Sequence, residues 1–127
     1  KIDLPKLSKT QKLFTWKLSK RYDQDISTIA LAAKIELENG DFIKDVILAA
    51  GGVAAVPTIL RKTSQSLKNR SINSLKPDFL LSLSKDISPI SDLRGTAEYR
   101  KNAMAGLLMK METSLREKDT PLSIMSF

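Results

Sequence analysis

The charged segment from Lys17 to Asp25, KLSKRYDQD, combines cations, carboxylates, an amide and a phenol. Charged side chains concentrated on one connection between two strands can reach a neighbouring surface. A solvated loop has the same composition, so the residue types leave both interpretations open. The candidate binding residues are Lys17, Lys20, Arg21, Tyr22, Asp23, Gln24 and Asp25.

A glycine-containing segment, AAGGVAA at Ala49 to Ala55, is the second candidate. Glycines between a strand and a helix can cradle a phosphate group. The segment lacks both the G-x-G-x-x-G spacing and the lysine of a phosphate-binding loop. A close approach of two backbones at the edge of a sheet is therefore the favoured interpretation.

Two carboxylates and two arginines, Asp92, Arg94, Glu98 and Arg100, follow one another closely near the C-terminal part of the chain. Because the guanidinium group holds carboxylates in a rigid fork, such a group could bind a carboxylate ligand. A network that caps a helix and braces a loop uses the same residues, and we favour it.

The absence of Cys and His excludes several classes of site. No Cys/His zinc site, iron–sulfur cluster, Ser-His-Asp triad or cysteine nucleophile can be built from this chain. No stretch has the spacing of a calcium-binding loop. We therefore predict no catalytic residue and no metal ligand, and lack of cysteine fits a cytoplasmic protein.

The net charge of +7 is concentrated in residues 1–21, which hold seven basic residues and a single acid, Asp3. We interpret residues 1–11 as a basic arm. Nucleic-acid binding is not predicted, because no base-stacking aromatic residues alternate with these charges. The longest apolar run, residues 46–57, is too short to span a bilayer, so no membrane partner is predicted.

Three segments have the patterns of strands, at residues 13–19, 28–38 and 42–50. Phe14, Trp16 and Leu18 alternate with polar residues, as in a half-buried strand. The pair Asn39-Gly40 predicts a hairpin in which Lys34 lies opposite Asp45. Glu38 beside Asp41 is a pair of like charges, which indicates that the loop opens wider than two residues.

Three segments have the patterns of helices, at residues 57–69, 75–85 and 96–117. Thr96 is the expected cap of the last helix, and Arg100 is placed outside its apolar stripe or on its margin. The size of the chain predicts a single domain, with a loosely held tail at residues 119–127. The fold class is α+β, a three-stranded antiparallel sheet with three helices packed on one face.

Three passages carry a resemblance to a known family: SKRYDQDIS at 19–27, AAGGVAAVP at 49–57 and DISPISDLRGTAEYRK at 86–101. They occur in the same order in the FAD-binding (small) subunit of bacterial xanthine dehydrogenases. The chain resembles the C-terminal domain of that subunit, in the CO dehydrogenase flavoprotein C-terminal domain family. The resemblance covers nearly the whole chain and implies that it is a piece of a longer subunit.

In that family a lysine at the position of Lys17 faces the flavin, and the loop at residues 20–25 borders the flavin and the docking face of NAD. The resemblance implies FAD in the full-length subunit, with molybdopterin and 2Fe-2S clusters elsewhere in the enzyme. The implied partners are the upstream FAD-binding and iron–sulfur domains of the same subunit, a molybdopterin subunit and NAD. The implied role is to enclose the flavin and gate electron transfer from purine oxidation to NAD.

Two alternatives to a xanthine dehydrogenase domain stay open at this point. The chain could be the same domain of another molybdenum hydroxylase. It could also be a non-catalytic adaptor whose basic arm docks an acidic partner.

Overall fold

Four strands of the described residues form one antiparallel sheet, in the order β1-β2-β3-β4, in the computed structural model of the chain. The structure describes residues 1–19, 27–75 and 78–117. The strands are β1 Gln11–Leu18, β2 Ile29–Glu38, β3 Phe42–Gly51 and β4 Thr58–Ile59. The helices are α1 Arg61–Leu67, α2 Phe79–Asp86 and α3 Ala97–Arg116, with a 3₁₀ turn at Ile72–Ser74. The predicted α+β class is confirmed.

The predicted number of strands is wrong, because Thr58–Ile59 pairs with Ala49–Ala50 as a short fourth strand. We expected a helix to begin at Pro57, whereas α1 begins at Arg61. Proline disfavours helical backbone angles in the residue before it, here Val56, and the β-branched Thr58–Ile59 pair then continues in the extended conformation.

The hairpin between β2 and β3 turns through three residues, since Glu38 pairs with Phe42. Asn39 and Gly40 both have positive φ, 55° and 81°, as the sequence predicted. The wider loop indicated by the like charges at its base is confirmed.

The predicted pairing of Lys34 with Asp45 is wrong, because Lys34 lies opposite Ile47. A bulge between Glu36 and Leu37 shifts the register, and Asp45 lies opposite Glu36. The three-residue turn moves the pairing by one position relative to a two-residue turn, and the bulge, which places one extra residue in one strand, moves all pairs beyond it by a second position.

The hydrophobic core lies between one face of the sheet and the helices. Alternate residues of β2, from Ile29 to Leu37, are buried, and α3, which packs on this strand, buries Met104, Leu108 and Met111. The Thr96 side chain caps α3 by accepting a hydrogen bond from the Tyr99 N–H at 3.0 Å, as predicted. No helix in the described ranges has both the length and the apolar character needed to cross a bilayer.

Candidate functional site

We call the face of the sheet on which none of the described helices packs the open face, and three cross-strand rows of β1, β2 and β3 define it. They are the rows Leu13–Lys34–Ile47, Thr15–Ala32–Ala49 and Lys17–Ala30–Gly51. Successive residues of a strand point to opposite faces, so the buried positions of β2 leave the positions between them on this side. The open face therefore carries mostly small residues at the end that includes Lys17.

A shallow apolar depression of about 670 Å³ lies on this part of the open face. Its lining includes Thr15, Ala30, Ala32, Ala49, Gly51 and Pro57. Methyl groups and a glycine leave the sheet surface flat, while the larger Leu13, Ile47 and Ile59 side chains, each about half exposed, add apolar surface on the same face. Such a surface can cover a planar aromatic group.

Lys17 lies at the edge of the depression, in the last row but one of β1, and its side chain is exposed. Within residues 1–19, 27–75 and 78–117, none of the ion pairs involves Lys17. Lysine is a point charge on a flexible stem. The fold thus places the exposed Lys17 ammonium group beside the apolar depression.

The other predicted binding residues, Lys20, Arg21, Tyr22, Asp23, Gln24 and Asp25, lie outside the described residues. The two ends of their segment are described. The Thr28 N–H donates a hydrogen bond to the Leu18 carbonyl at 2.6 Å, which brings those ends together at the Lys17 end of the sheet. The roles given to these residues and to Lys17 stay predictions.

The glycine segment after β3 makes the close backbone approach that the sequence favoured over a phosphate cradle. Gly52 has a φ of 78°, and a Cβ at this position would lie 2.2 Å from the Thr28 carbonyl oxygen. A side chain at Gly52 is therefore excluded by the neighbouring strand as well as by the backbone conformation.

The predicted bracing network centres on Arg100, whose side chain is 6% exposed, and Asp92. The Arg100 Nη1 group donates to the Thr28 and Gly52 carbonyls, and Nη2 donates to Asp92 Oδ1 at 2.8 Å. The Arg94 backbone N–H donates to the same carboxylate at 2.9 Å. Bracing is confirmed for Asp92 and Arg100, joined by the Arg94 backbone, whereas the placement of Arg100 outside the apolar stripe or on its margin is wrong, because its side chain is buried.

The electrostatic consequence of this network falls on Asp92. The hydrogen bond from the Arg100 side chain, followed by that from the Arg94 N–H, lowers the pKa of Asp92 below its usual range. Arg100 itself keeps one buried donor, Nε, without a partner among the described residues. A buried unpaired donor costs stability, so the three other contacts must outweigh that cost.

The described residues contain no group of three or more His, Cys, Asp or Glu side chains placed to hold a metal ion. The site consists of an apolar surface, one cation and a bracing arginine. These groups can position and polarise a bound aromatic molecule, and they supply no nucleophile.

Comparison with known proteins identifies the family of the chain. Residues 14–115 match the family described as the CO dehydrogenase flavoprotein C-terminal domain. The chain is 29% identical over 110 residues to the glyceraldehyde dehydrogenase medium chain of Sulfolobus acidocaldarius, a match that covers 86% of this chain and 38% of that protein. It is 30% identical over 97 residues to the xanthine dehydrogenase FAD-binding subunit of Escherichia coli O157:H7, covering 76% of this chain and 33% of that subunit.

Solved structures show the same fold. A chain of the reconstituted CO dehydrogenase from Oligotropha carboxidovorans superposes with a TM-score of 0.73 at 21% identity, covering 92% of this chain and 40% of that chain. For quinoline 2-oxidoreductase from Pseudomonas putida 86 the TM-score is 0.64 at 14% identity, with 83% and 38% covered. The chain thus spans between 33% and 40% of the length of these proteins. On the match over residues 14–115, the chain belongs to the CO dehydrogenase flavoprotein C-terminal domain family.

Proposed function

We propose that this chain is the C-terminal domain of the FAD-binding subunit of a molybdenum hydroxylase, and that its open face forms one wall of the flavin pocket. Family membership and the resemblance to an FAD-binding subunit support the proposal. The single observation that carries the role of the open face is the exposed Lys17 beside the apolar depression.

The residues present fit one side of a flavin ring. Planar aromatic groups pack on flat apolar surfaces, and Thr15, Ala30, Ala32 and Ala49 provide one beside the Lys17 ammonium. The Gly52 backbone lies against the Thr28 carbonyl, which supports a structural role for this glycine. When bound, FAD would supply the redox chemistry, and this chain would position the ring and exclude water on one side.

The finer assignment is a xanthine dehydrogenase that passes electrons from purine oxidation to NAD in the cytoplasm. The E. coli relative is named for xanthine, whereas other members of the comparison are named for glyceraldehyde, CO and quinoline. One domain fold therefore accompanies different substrates, and the substrate would be selected by the molybdopterin subunit. The proposed partners are that subunit and the FAD-binding and iron–sulfur domains of the same subunit.

The experiment is Lys17→Met in the complete enzyme, with Lys34→Met as the matched control. Lys34 lies on the same face, four residues along the sheet and about 13 Å from the Lys17 row by the rise of a strand. A positive charge beside the ring favours the negative charge that reduction adds, so Lys17→Met lowers the flavin midpoint potential. Lys34→Met leaves it nearly unchanged.

Two electron acceptors give the functional readout. Lys17→Met, or charge reversal at Lys20 and Arg21, should slow NAD reduction while leaving substrate oxidation with a dye that draws electrons before the flavin intact. Equal loss with both acceptors would contradict the proposal, since it would indicate damage to folding or assembly. An unchanged midpoint potential in Lys17→Met would also contradict it.

A further inference from the structure

We infer that Arg100 is a positioning residue for Lys17, acting by holding the ends of three strands together at the Lys17 end of the open face. The inference deepens the proposed function and rests on it for the flavin measurement alone. Its basis is the set of carbonyl contacts made by one buried guanidinium group.

The sheet ladder stops close to Lys17. Leu18 of β1 pairs with Ile29 of β2, and Ala30 of β2 pairs with Gly51 of β3. Ladder hydrogen bonds keep neighbouring strands side by side. Beyond these rows the ladder ends, so other hydrogen bonds have to hold the strand ends together.

Arg100 supplies the missing connection. Its Nη1 group donates to the Thr28 carbonyl, just before β2, and to the Gly52 carbonyl at 3.0 Å, just after β3. The Thr28 N–H in turn donates to the Leu18 carbonyl at the end of β1, at 2.6 Å. The Arg100 side chain thereby links the ends of β2 and β3, and the Thr28 backbone hydrogen bond connects them to the end of β1, so all three strands of the row Lys17–Ala30–Gly51 are joined.

The surroundings of the guanidinium group are built for this contact. Asp92 accepts from Nη2 at 2.8 Å and fixes the plane of the fork. Gly52 leaves room for the group, since a Cβ at that position would lie 3.0 Å from Nη1. Lysine has a single charged nitrogen without a planar fork, and it cannot reproduce these directions.

A second arginine of the same helix provides a matched control. Arg116 also donates to two carbonyls, those of Ile72 at 3.1 Å and Leu75 at 3.2 Å, but at the opposite end of α3. Its partners belong to the 3₁₀ turn and its C-terminal neighbour, not to the ends of the strands. Loss of Arg116 should therefore perturb the helix layer without moving Lys17.

The first test measures backbone hydrogen exchange in the complete enzyme by mass spectrometry, on peptides that contain Thr28 or Ile72. Arg100→Lys should speed exchange at Thr28 by on the order of tenfold, the ratio expected when a charge-assisted hydrogen bond is lost, and leave Ile72 unchanged. Arg116→Lys should do the reverse. Equal changes at both peptides, or no change at Thr28 in Arg100→Lys, would overturn the inference.

The second test measures the flavin midpoint potential. Arg100→Lys should lower it in the same direction as Lys17→Met but by less, and should add nothing in the Lys17→Met background. Arg116→Lys should not change it. A shift in Lys17→Met with none in Arg100→Lys would overturn the inference and leave the proposed function standing.

If Lys17→Met gives no shift, the proposed function fails, and hydrogen exchange at Thr28 alone decides whether Arg100 holds the strand ends. If Arg100→Lys does not assemble, Asp92→Asn replaces it, because this substitution leaves Arg100 in place and weakens the charged contact that fixes the plane of its fork, and with it the aim of Nη1 at the two carbonyls. Asp92→Asn should speed hydrogen exchange at Thr28 and lower the flavin midpoint potential, each by less than is expected for Arg100→Lys. If neither quantity changes, the inference is overturned.

Discussion

The two faces of β2 carry residues of different size and contact different surroundings. Ile29, Leu31 and Ile35 on the closed face are at most 2% exposed and pack beneath the helices. Ala30 and Ala32 on the open face line a depression that none of the helices in the described part of the chain covers. Neighbouring residues of one strand thus serve two demands, since large branched side chains fill a core and small ones leave a flat surface for another molecule.

On the proposed function, stability and flavin binding depend on opposite faces of a single strand. Substitutions on the closed face change the free energy of unfolding, because they create a cavity or overfill a packed layer. Substitutions on the open face act mainly on what lies against it.

The largest effect is expected for Ile35→Ala on the closed face, with Lys34→Ala as its control. Ile35 is fully buried, so its truncation should lower the free energy of unfolding by about 2–5 kcal/mol. Lys34 is its neighbour on the open face, where substitution should change that free energy by at most about 0.5 kcal/mol. Denaturant melts of the three chains check this, and equal losses would show that both faces are packed.

A smaller effect is expected from enlarging two adjacent alanines. Ala33→Leu should lower the free energy of unfolding by about 1–3 kcal/mol, because Ala33 is fully buried and the added methyl groups must displace neighbours. Ala32→Leu should leave stability nearly unchanged, because the side chain enters the open depression. In the complete enzyme Ala32→Leu should instead weaken flavin retention, which a desalting column and an absorption spectrum measure. A large loss of stability in Ala32→Leu would contradict the assignment of the two faces.

Period-two alternation made most of this sheet predictable from sequence. The buried and exposed positions of β2 follow the pattern of residue types, and the positive φ of Asn39 and Gly40 follows from their chemistry. Trp16 was placed on the correct face, stacked at 5.3 Å on Phe14, although it is only half-buried. Its truncation should therefore cost less than that of a fully buried tryptophan.

The parts that could not be predicted have local physical causes. A two-residue strand such as Thr58–Ile59 is too short to show any periodicity. The bulge beside Glu36 cannot be predicted from the sequence, because the polar residues on β3 are compatible with the register that has the bulge and with the one that lacks it. The burial of Arg100 was missed because a charged residue counts as surface in any pattern of polarity. The sequence signal that could have revealed this burial is the pair Gly51-Gly52 at the end of β3, because Arg100 donates to the Gly52 carbonyl.

The third prediction concerns pH and sharpens the contrast between the buried Arg100 network and the exposed charges of the open face. The Arg100 guanidinium and the Arg94 N–H lower the pKa of Asp92, so ionised Asp92 stabilises the folded state. A lowered folded-state pKa gives stability that is present above the ordinary aspartate value of about 4 and is lost as the pH falls toward the lowered value.

The thermal melting difference between the wild type and Asp92→Asn should therefore be largest near neutral pH and should shrink below about pH 4. Repeating the series in an Arg100→Met background removes the main cause of the shift. The dependence on pH should then be much weaker. An equally steep dependence in both backgrounds would show that Arg100 is not the source of the shift.

The smallest effect is expected for an exposed ion pair of β3, and it tests the register of the hairpin between β2 and β3. Asp45 lies 3.6 Å from Lys68 in an ion pair that is about half exposed, whereas Lys34 lies opposite Ile47. A double-mutant cycle between Asp45 and Lys68 should give a coupling of about 0.2–1 kcal/mol, as exposed ion pairs do. The same cycle between Asp45 and Lys34 should give a smaller coupling, because the bulge removes the two residues from direct opposition. A stronger coupling to Lys34 than to Lys68 would mean that the hairpin has a two-residue turn and no bulge. The rows of the open face, including the one that carries Lys17, would then have to be assigned again.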